Sequence, residues 1–440
     1  MSISDLIFVF FFMPVFFGIY AILPPKRRRW ALALGGIFFY AWGNLSDALI
    51  LLVLSAVVYV FSRLSAKKKL FAFVGIACCV LTLAVFKYVN TPLGFPLGAS
   101  FYIFHMISYL ADIHRGETEP ADFVSFLAYI AMFPKLIMGP IVQYHDIAET
   151  IKAPAVSVNE TANGLFRFIV GLSKKAAIAM QLAPLTESLW ADAANSALSA
   201  WLGAICFSLQ LYFDFSSYSD MAIGLGRMAG FSFGENFIYP YISCSVSEFY
   251  RRWHASLGRW FRDYLYIPLG GSRKGLARTL LNLMIVWAAT GIWHGSTLNF
   301  LGWGIGLGAI ICFEKLTGIA KGKKTFPGWL WTTVLIVVSW VIFNSADMPS
   351  AALYISRMFG ASPFVLTQPL LTVLHDSWYV PAIAVFGCTP LIKNCCQKVF
   401  KDENSRTAML CKSAALCALL ALSLLLIVNS GYSAFIYTKF

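Results

Sequence analysis

The stretch TGIWHGST, residues 290–297, places a histidine between two of the most apolar runs in the chain. An imidazole takes up and gives back a proton near neutral pH, so His294 is a candidate general base. An ionisable side chain at membrane depth is costly, and such a residue is read first as functional. Gly291 and Gly295 flank the Trp293–His294 pair and would let the backbone turn or a substrate approach closely.

A second histidine, His254, lies in SEFYRRWHASLGRWFRD, residues 247–263. Read as one continuous helix, this segment puts Phe249, Trp253, Leu257 and Trp260 on one face and Glu248, Arg252 and Arg259 on another. Such a helix is expected to lie at the membrane interface or to dip in from it. Arg251, Arg252, Arg259 and Arg262, followed by Arg273 and Lys274, form a basic rim. Two readings stay open: interfacial anchoring, or capture of an anionic group by guanidinium side chains. Gln210, Asp214 and Ser217 fall at i, i+4 and i+7, hence on one helix face, where a carboxylate requires a wet cavity or a partner. Trp293 and these three are candidates for polar lining of an internal passage. His105 and His114 (fifth span and its end), His145 (a loop) and His375 (near a helix start) are expected to be structural. Neither the chemistry nor the cysteine spacing calls for a metal: Cys78-Cys79 and Cys395-Cys396 are adjacent pairs, not CxxC motifs.

The elements that must hold these groups follow from composition. The chain is 59% hydrophobic and only 12% charged, against about 25% charged in soluble domains. Apolar runs long enough to cross a ~30 Å core recur throughout, so the fold class is an all-α polytopic membrane protein. Candidate spans are 5–23, 30–43, 46–62, 70–88, 99–112, 121–138, 162–189, 199–228, 277–292, 297–316, 328–344, 371–392 and 408–429. The first is read as a span and not as a cleaved signal, because it has no basic start and no small-residue cleavage pattern. The net charge of +13 fits basic loops facing anionic lipid better than a nucleic-acid partner. Clusters at Lys26–Arg29, Lys67–Lys69, Lys321–Lys324 and Lys393–Lys401 then lie in the cytoplasm, and both termini outside. YLYIPLGGSRKG cannot continue a helix through its proline and paired glycines. From Arg278 to His294 is 16 residues, roughly 24 Å along a helix, which sets His294 inside the membrane. One membrane domain is expected over 1–440, with N-terminal helices (1–138), a motif-bearing core (139–316) and C-terminal helices (317–440).

PYISCSVSEFYRRWHASLGRWFRDYLYIPLGGSR followed by NLMIVWAATGIWHG resembles the membrane-bound O-acyltransferase (MBOAT) family, and within it the alginate O-acetyltransferase type. SFYIFHMISYLADIHRG, FPKLIMGPIVQ, FDFSSYSDMAIGLG and the terminal FIYTKF extend the resemblance along the chain. Ser217 and Lys135 depart from it, standing where such proteins commonly carry Gly and Gln. The resemblance implies a ring of about 11–13 transmembrane or re-entrant helices around a central tunnel. It implies catalysis by His294, the WHG histidine, with a second functional role for His254 of the RWH motif. No bound cofactor is implied. An acyl-CoA, most simply acetyl-CoA, or an acyl-carrier thioester would be the donor from the cytoplasm. The acceptor would be an extracytoplasmic glycan, or a secreted or anchored SGNH-type partner that relays the acyl group, at a bacterial inner membrane. D-alanyl transfer to teichoic acid, a polysaccharide or lipid transporter, and a non-catalytic assembly subunit are the competing expectations.

Overall fold

The computed structural model describes residues 1–89, 91–319, 324–399, 406–429 and 435. Of the basic clusters above, Lys321–Lys323 and Lys401 lie outside the described residues, as does all of the terminal FIYTKF but Phe435.

The described residues are helical throughout their ordered elements. In chain order the helices are α1 Met13–Ile22, α2 Pro25–Gly43, α3 Leu45–Ser65, α4 Leu70–Tyr88, α5 Ala99–Arg115, α6 Phe123–Ala131 and α7 Phe133–Leu136. Then follow α8 Tyr144–Lys152, α9 Val158–Lys174, α10 Met180–Ala191, α11 Ala197–Met228, α12 Val246–Arg252, α13 Ala255–Phe261, α14 Leu276–His294 and α15 Leu298–Thr317. The last are α16 Phe326–Asn344, α17 Met348–Ser356, α18 Gln368–Asp376, α19 Tyr379–Gly387, α20 Leu391–Val399 and α21 Arg406–Asn429. Among the described residues eight helices are long and apolar enough to cross a bilayer, or nine if α18 and α19 count as one bent span.

Two expected spans and the expected interfacial helix are broken. Residues 121–138 split into α6 and the single turn of α7, because Pro134 starts a new helix and cannot donate to the old one. Residues 371–392 fall across α18 and α19, which meet at 66°, and run into α20. The stretch 247–263 is two short helices that part at Trp253–His254, not one amphipathic rod. Its aromatic stripe is nevertheless buried as a set: Phe249, Trp253, Leu257 and Trp260 all lie inside. His145 stands in the first turn of α8, not in a loop, and His375 in the last turn of α18, not near its start.

The chain divides into two compact units, Met1–Gly171 with Tyr218–Glu235, and Leu172–Ser217 with Asn236–Phe440. In the first, phenylalanines of the opening segment stack around Phe133, with Phe12, Phe16 and Phe39 all within 5.7 Å of it. Arg28 is buried there and donates to the carbonyls of Tyr20 and Pro154 at 3.1 and 2.8 Å. A guanidinium pays for such burial only when its fork is filled. Arg167 bridges Asp220 and Glu235 at 2.8 and 2.5 Å.

The second unit holds both candidate histidines. Its centre is an aromatic cluster that includes Phe249, Trp253, Phe300, Trp303, Trp340 and Phe343. The α14–α15 hairpin packs with its backbones in contact: a Cβ on Gly304 would lie 2.4 Å from the Trp287 carbonyl oxygen, and one on Gly291 2.4 Å from that of Phe300. Small residues allow such an approach between membrane helices, and dispersion and weak Cα–H contacts then hold them. Gly304→Ala is therefore expected to destabilise the protein by about 1–3 kcal/mol by forcing the helices apart. Gly306 of the same helix faces open space, so Gly306→Ala is expected to be neutral or stabilising by up to about 1 kcal/mol. Detergent-phase thermal unfolding of the two variants side by side checks the contrast.

Candidate active site

His294 is the last residue of α14, and the helix from Arg278 reaches it without interruption. The chain leaves the helix at Gly295 in an extended conformation, where a Cβ would strike the Phe300 ring at 2.0 Å. Asn299, fully buried, donates to the carbonyls of Ile342 (3.2 Å) and Ser345 (2.7 Å), tying the hairpin tip to the end of α16. His294 itself is buried. Its ring meets Trp303 edge-to-face at 5.1 Å, Phe343 at 5.2 Å and its neighbour Trp293 at 4.6 Å. Aromatic walls of this kind keep water away from an imidazole.

His254 is held by a different device. It has φ 48° and ψ 50°, the left-handed region that a β-carbon disfavours, and there it separates α12 from α13. Asn236 compensates. Its buried amide oxygen accepts from His254 Nδ1 at 3.1 Å, from Ser256 N at 3.1 Å and from Ser256 Oγ at 2.9 Å. Its backbone oxygen accepts from Ala255 N at 2.9 Å. An amide oxygen can only accept, so the proton sits on Nδ1 and the basic lone pair is on Nε2. Burial pushes the imidazole down to about 3, so the ring is neutral at physiological pH. Phe215 lies edge-on to it at 4.7 Å and Phe237 stacks at 6.3 Å.

The link between the two histidines runs through tryptophans. Trp253, next in sequence to His254, lies 4.9 Å from Trp340; Trp340 is 5.9 Å from Trp303, which abuts His294. Both imidazoles thus belong to one aromatic wall. Glu314 supports the start of α12 beside it by accepting from Val246 N and Ser247 N at 2.6 and 2.8 Å, a buried carboxylate at a helix N-terminus.

Of the other candidate residues, Gln210, Asp214, Ser217 and Trp293 are all buried. Ser217 Oγ donates to the Asp214 carbonyl at 2.7 Å, a local helix bond. The Asp214 carboxylate accepts from Lys175 Nζ at 2.5 Å, and that ammonium also lies 4.0 Å from the centroid of the Phe435 ring. Lys175 opens a π-helical turn, Lys175–Ala179. The basic rim is partly neutralised. Arg252 pairs with Glu248 at 2.9 Å and donates to the Ile238 carbonyl, while Arg259 and Arg262 share Asp263 at 3.6 and 2.7 Å. Arg251, Arg273 and Lys274 are exposed. In the first unit, ligand-type atoms of Asp112, Glu117 and His145 lie within 4.8 Å of one another, with His145 Nδ1 bonded to Asp112 at 2.9 Å.

Asn236 was not legible among the motifs: an asparagine 18 residues before His254 carries no periodic signal, and only the fold makes it a partner. Asn236→Ala is expected to cost about 10- to 100-fold in kcat, part of the 10²–10⁴ that a positioned base contributes, with little change in KM. A steady-state comparison with the wild-type protein checks the split.

An all-helical chain with eight or more helices long and apolar enough to cross a bilayer among its described residues is a multi-pass membrane protein. The chain belongs to the membrane-bound O-acyltransferase family: the description "MBOAT, membrane-bound O-acyltransferase family" matches residues 45–346. It is 37% identical over 429 residues to the probable alginate O-acetylase AlgI of Azotobacter vinelandii, covering 88% of this chain and 85% of that protein. It is 30% identical to the peptidoglycan O-acetyltransferase of Helicobacter pylori, covering 99% of this chain and 96% of that one. The teichoic acid D-alanyltransferase of Bacillus subtilis is 26% identical over 55% of this chain and 65% of its own length. The protein is an O-acyltransferase of the membrane, and the expectations of a transporter or a non-catalytic subunit fall away.

Proposed function

We propose that this enzyme moves an acetyl group from a cytoplasmic thioester to a hydroxyl on the far side of a bacterial inner membrane, with both termini facing outward. The donor is acetyl-CoA or an acyl-carrier thioester. The acceptor is a polysaccharide, or an SGNH-type partner that passes the group on. The observation that carries this reading is His294, a buried imidazole at the exit of a membrane helix. Arg251, Arg273 and Lys274 supply exposed positive charge for the donor's phosphates.

The acceptor O–H gives its proton to His294 as its oxygen attacks the thioester carbonyl. The tetrahedral intermediate then collapses, the C–S bond breaks, and the thiolate takes the proton back from the imidazolium. The products are an ester and a free thiol. His254, neutral and fixed by Asn236, serves as an orienting or second proton-accepting group. The experiment is consumption of labelled acetyl thioester by the purified protein in nanodiscs, with formation of the acyl ester on acceptor glycan. Turnover that requires His294 supports the reading; thioester consumption indifferent to position 294 sinks it. The partial similarity to teichoic acid D-alanyltransferases supports a second reading, which D-alanyl-carrier protein in the same assay tests. The wider and stronger similarity to the O-acetylating relatives favours acetyl transfer.

A further inference from the structure

Trp303 faces His294 across the α14–α15 hairpin, its indole perpendicular to the imidazole at 89° and 5.1 Å between centroids. The close approach of Gly304 to Trp287 and Gly291 locks the two helices at this level, so the indole cannot drift from the histidine. Trp303 is 3% exposed. Its remaining neighbours are ring faces and edges: Phe343 at 5.3 Å, Trp340 at 5.9 Å, Trp287 at 6.1 Å and Tyr250 at 6.3 Å. The enclosed indole N–H has no acceptor among the described residues. Burying a donor unpaired is costly, and a phenylalanine would fill an aromatic slot without that cost. A donor retained there, one ring away from the base, is placed for charge that exists only during the reaction.

We infer that the Trp303 indole N–H is the donor that stabilises the oxyanion of the acyl-transfer step, a catalytic role that rests on the function proposed above. As the acceptor oxygen bonds to the thioester carbon and its proton passes to His294, the C=O electron pair moves onto oxygen. Trp303 Nε1–H donates to that oxygen. When the carbonyl re-forms, the thiolate leaves with the proton from the imidazolium and the indole N–H is restored, so no atom is gained or lost by the protein. Fixed donors of this kind act on the transition state more than on the bound substrate.

The test replaces the N–H alone. Benzothienylalanine at position 303 keeps the bicyclic ring and puts sulfur where the N–H was; Trp303→Phe is the genetically simple companion. Both are expected to lower kcat by about 10²–10³-fold while KM for the acetyl thioester and the pH dependence of kcat stay as in the wild type. Thermal unfolding in detergent reports whether the fold is kept, and the benzothienyl protein is expected to match the wild type. Wild-type kcat in the benzothienyl protein would overturn the assignment, as would a loss accompanied by an equal fall in melting temperature. A wild-type protein that consumes no acyl thioester at all would instead sink the proposed function. His294-dependent turnover with an indifferent position 303 would sink this inference alone.

Discussion

Alanine at position 294 is expected to lower acyl transfer by about 10²–10⁴-fold, the range a positioned general base contributes, while expression and membrane insertion stay near normal. The separation of the two effects follows from the place of the residue. His294 ends its helix, so its loss removes no helix-interior hydrogen bond, and the apolar run that directs insertion is untouched. Its walls, Trp303 and Phe343, are packed against Trp340 and Phe300 independently of the imidazole. A hole left by the ring is therefore bounded by side chains with other supports, and the cost in stability is expected to stay in the range of about 1–3 kcal/mol typical of point changes. His294→Gln sharpens the comparison, since it restores volume and hydrogen-bonding capacity but not a base. Glutamine should be as inactive as alanine and more stable. Labelled acetyl transfer, normalised to folded protein by size exclusion, is the measurement; a glutamine variant with wild-type turnover would remove His294 from the chemistry.

His294 was legible in the sequence because its signal is local. An ionisable residue inside an apolar run is conspicuous, and the helix along which its position is counted is unbroken. The same locality explains why 70–88 and 199–228 were placed to within two residues of α4 and α11: length and apolarity decide them. Where a proline or a strained residue cuts an element, periodicity misleads. The stripe through Phe249, Trp253, Leu257 and Trp260 is real as a buried face, yet the helix beneath it is broken at His254 by a positive φ that no pattern announces. Partners distant in sequence were not legible at all. Asn236 fixes the His254 tautomer, Glu314 caps α12, and Trp303 faces His294, each through a contact made only on folding. The arginine rim reads as a uniform patch in sequence, while Glu248 and Asp263 divide it into paired and exposed members.

Lys175 is the partner whose absence from any sequence reading matters most for stability, and it sets the second large expectation. The sequence asks for a wet cavity or a partner at Asp214; in the structure it and its partner Lys175 are nearly fully enclosed, 4% and 2% exposed. Asp214→Ala is expected to destabilise the protein by about 3–5 kcal/mol, because it removes one member of a buried ion pair. The Phe435 ring 4.0 Å from that ammonium offsets only a small part, since a cation–π contact contributes about 2 kcal/mol when desolvated. Attraction within the pair is roughly cancelled by the cost of bringing two charges out of water, so removing both should hurt far less than removing one. The double variant Lys175→Met with Asp214→Leu, of similar volume and apolar, is therefore expected to recover most of the stability lost in Asp214→Ala. Unfolding midpoints in detergent for the wild type, both single variants and the double variant form a cycle that isolates the coupling. A double variant as unstable as the single one would mean that the cost lies in packing at the π-helical turn and not in the broken ion pair. If stability returns in the double variant but turnover does not, the pair is kept for what it does to the site: Asp214 precedes Phe215, whose ring lies edge-on to His254, so the ion pair would anchor the helix turn that holds that wall in place.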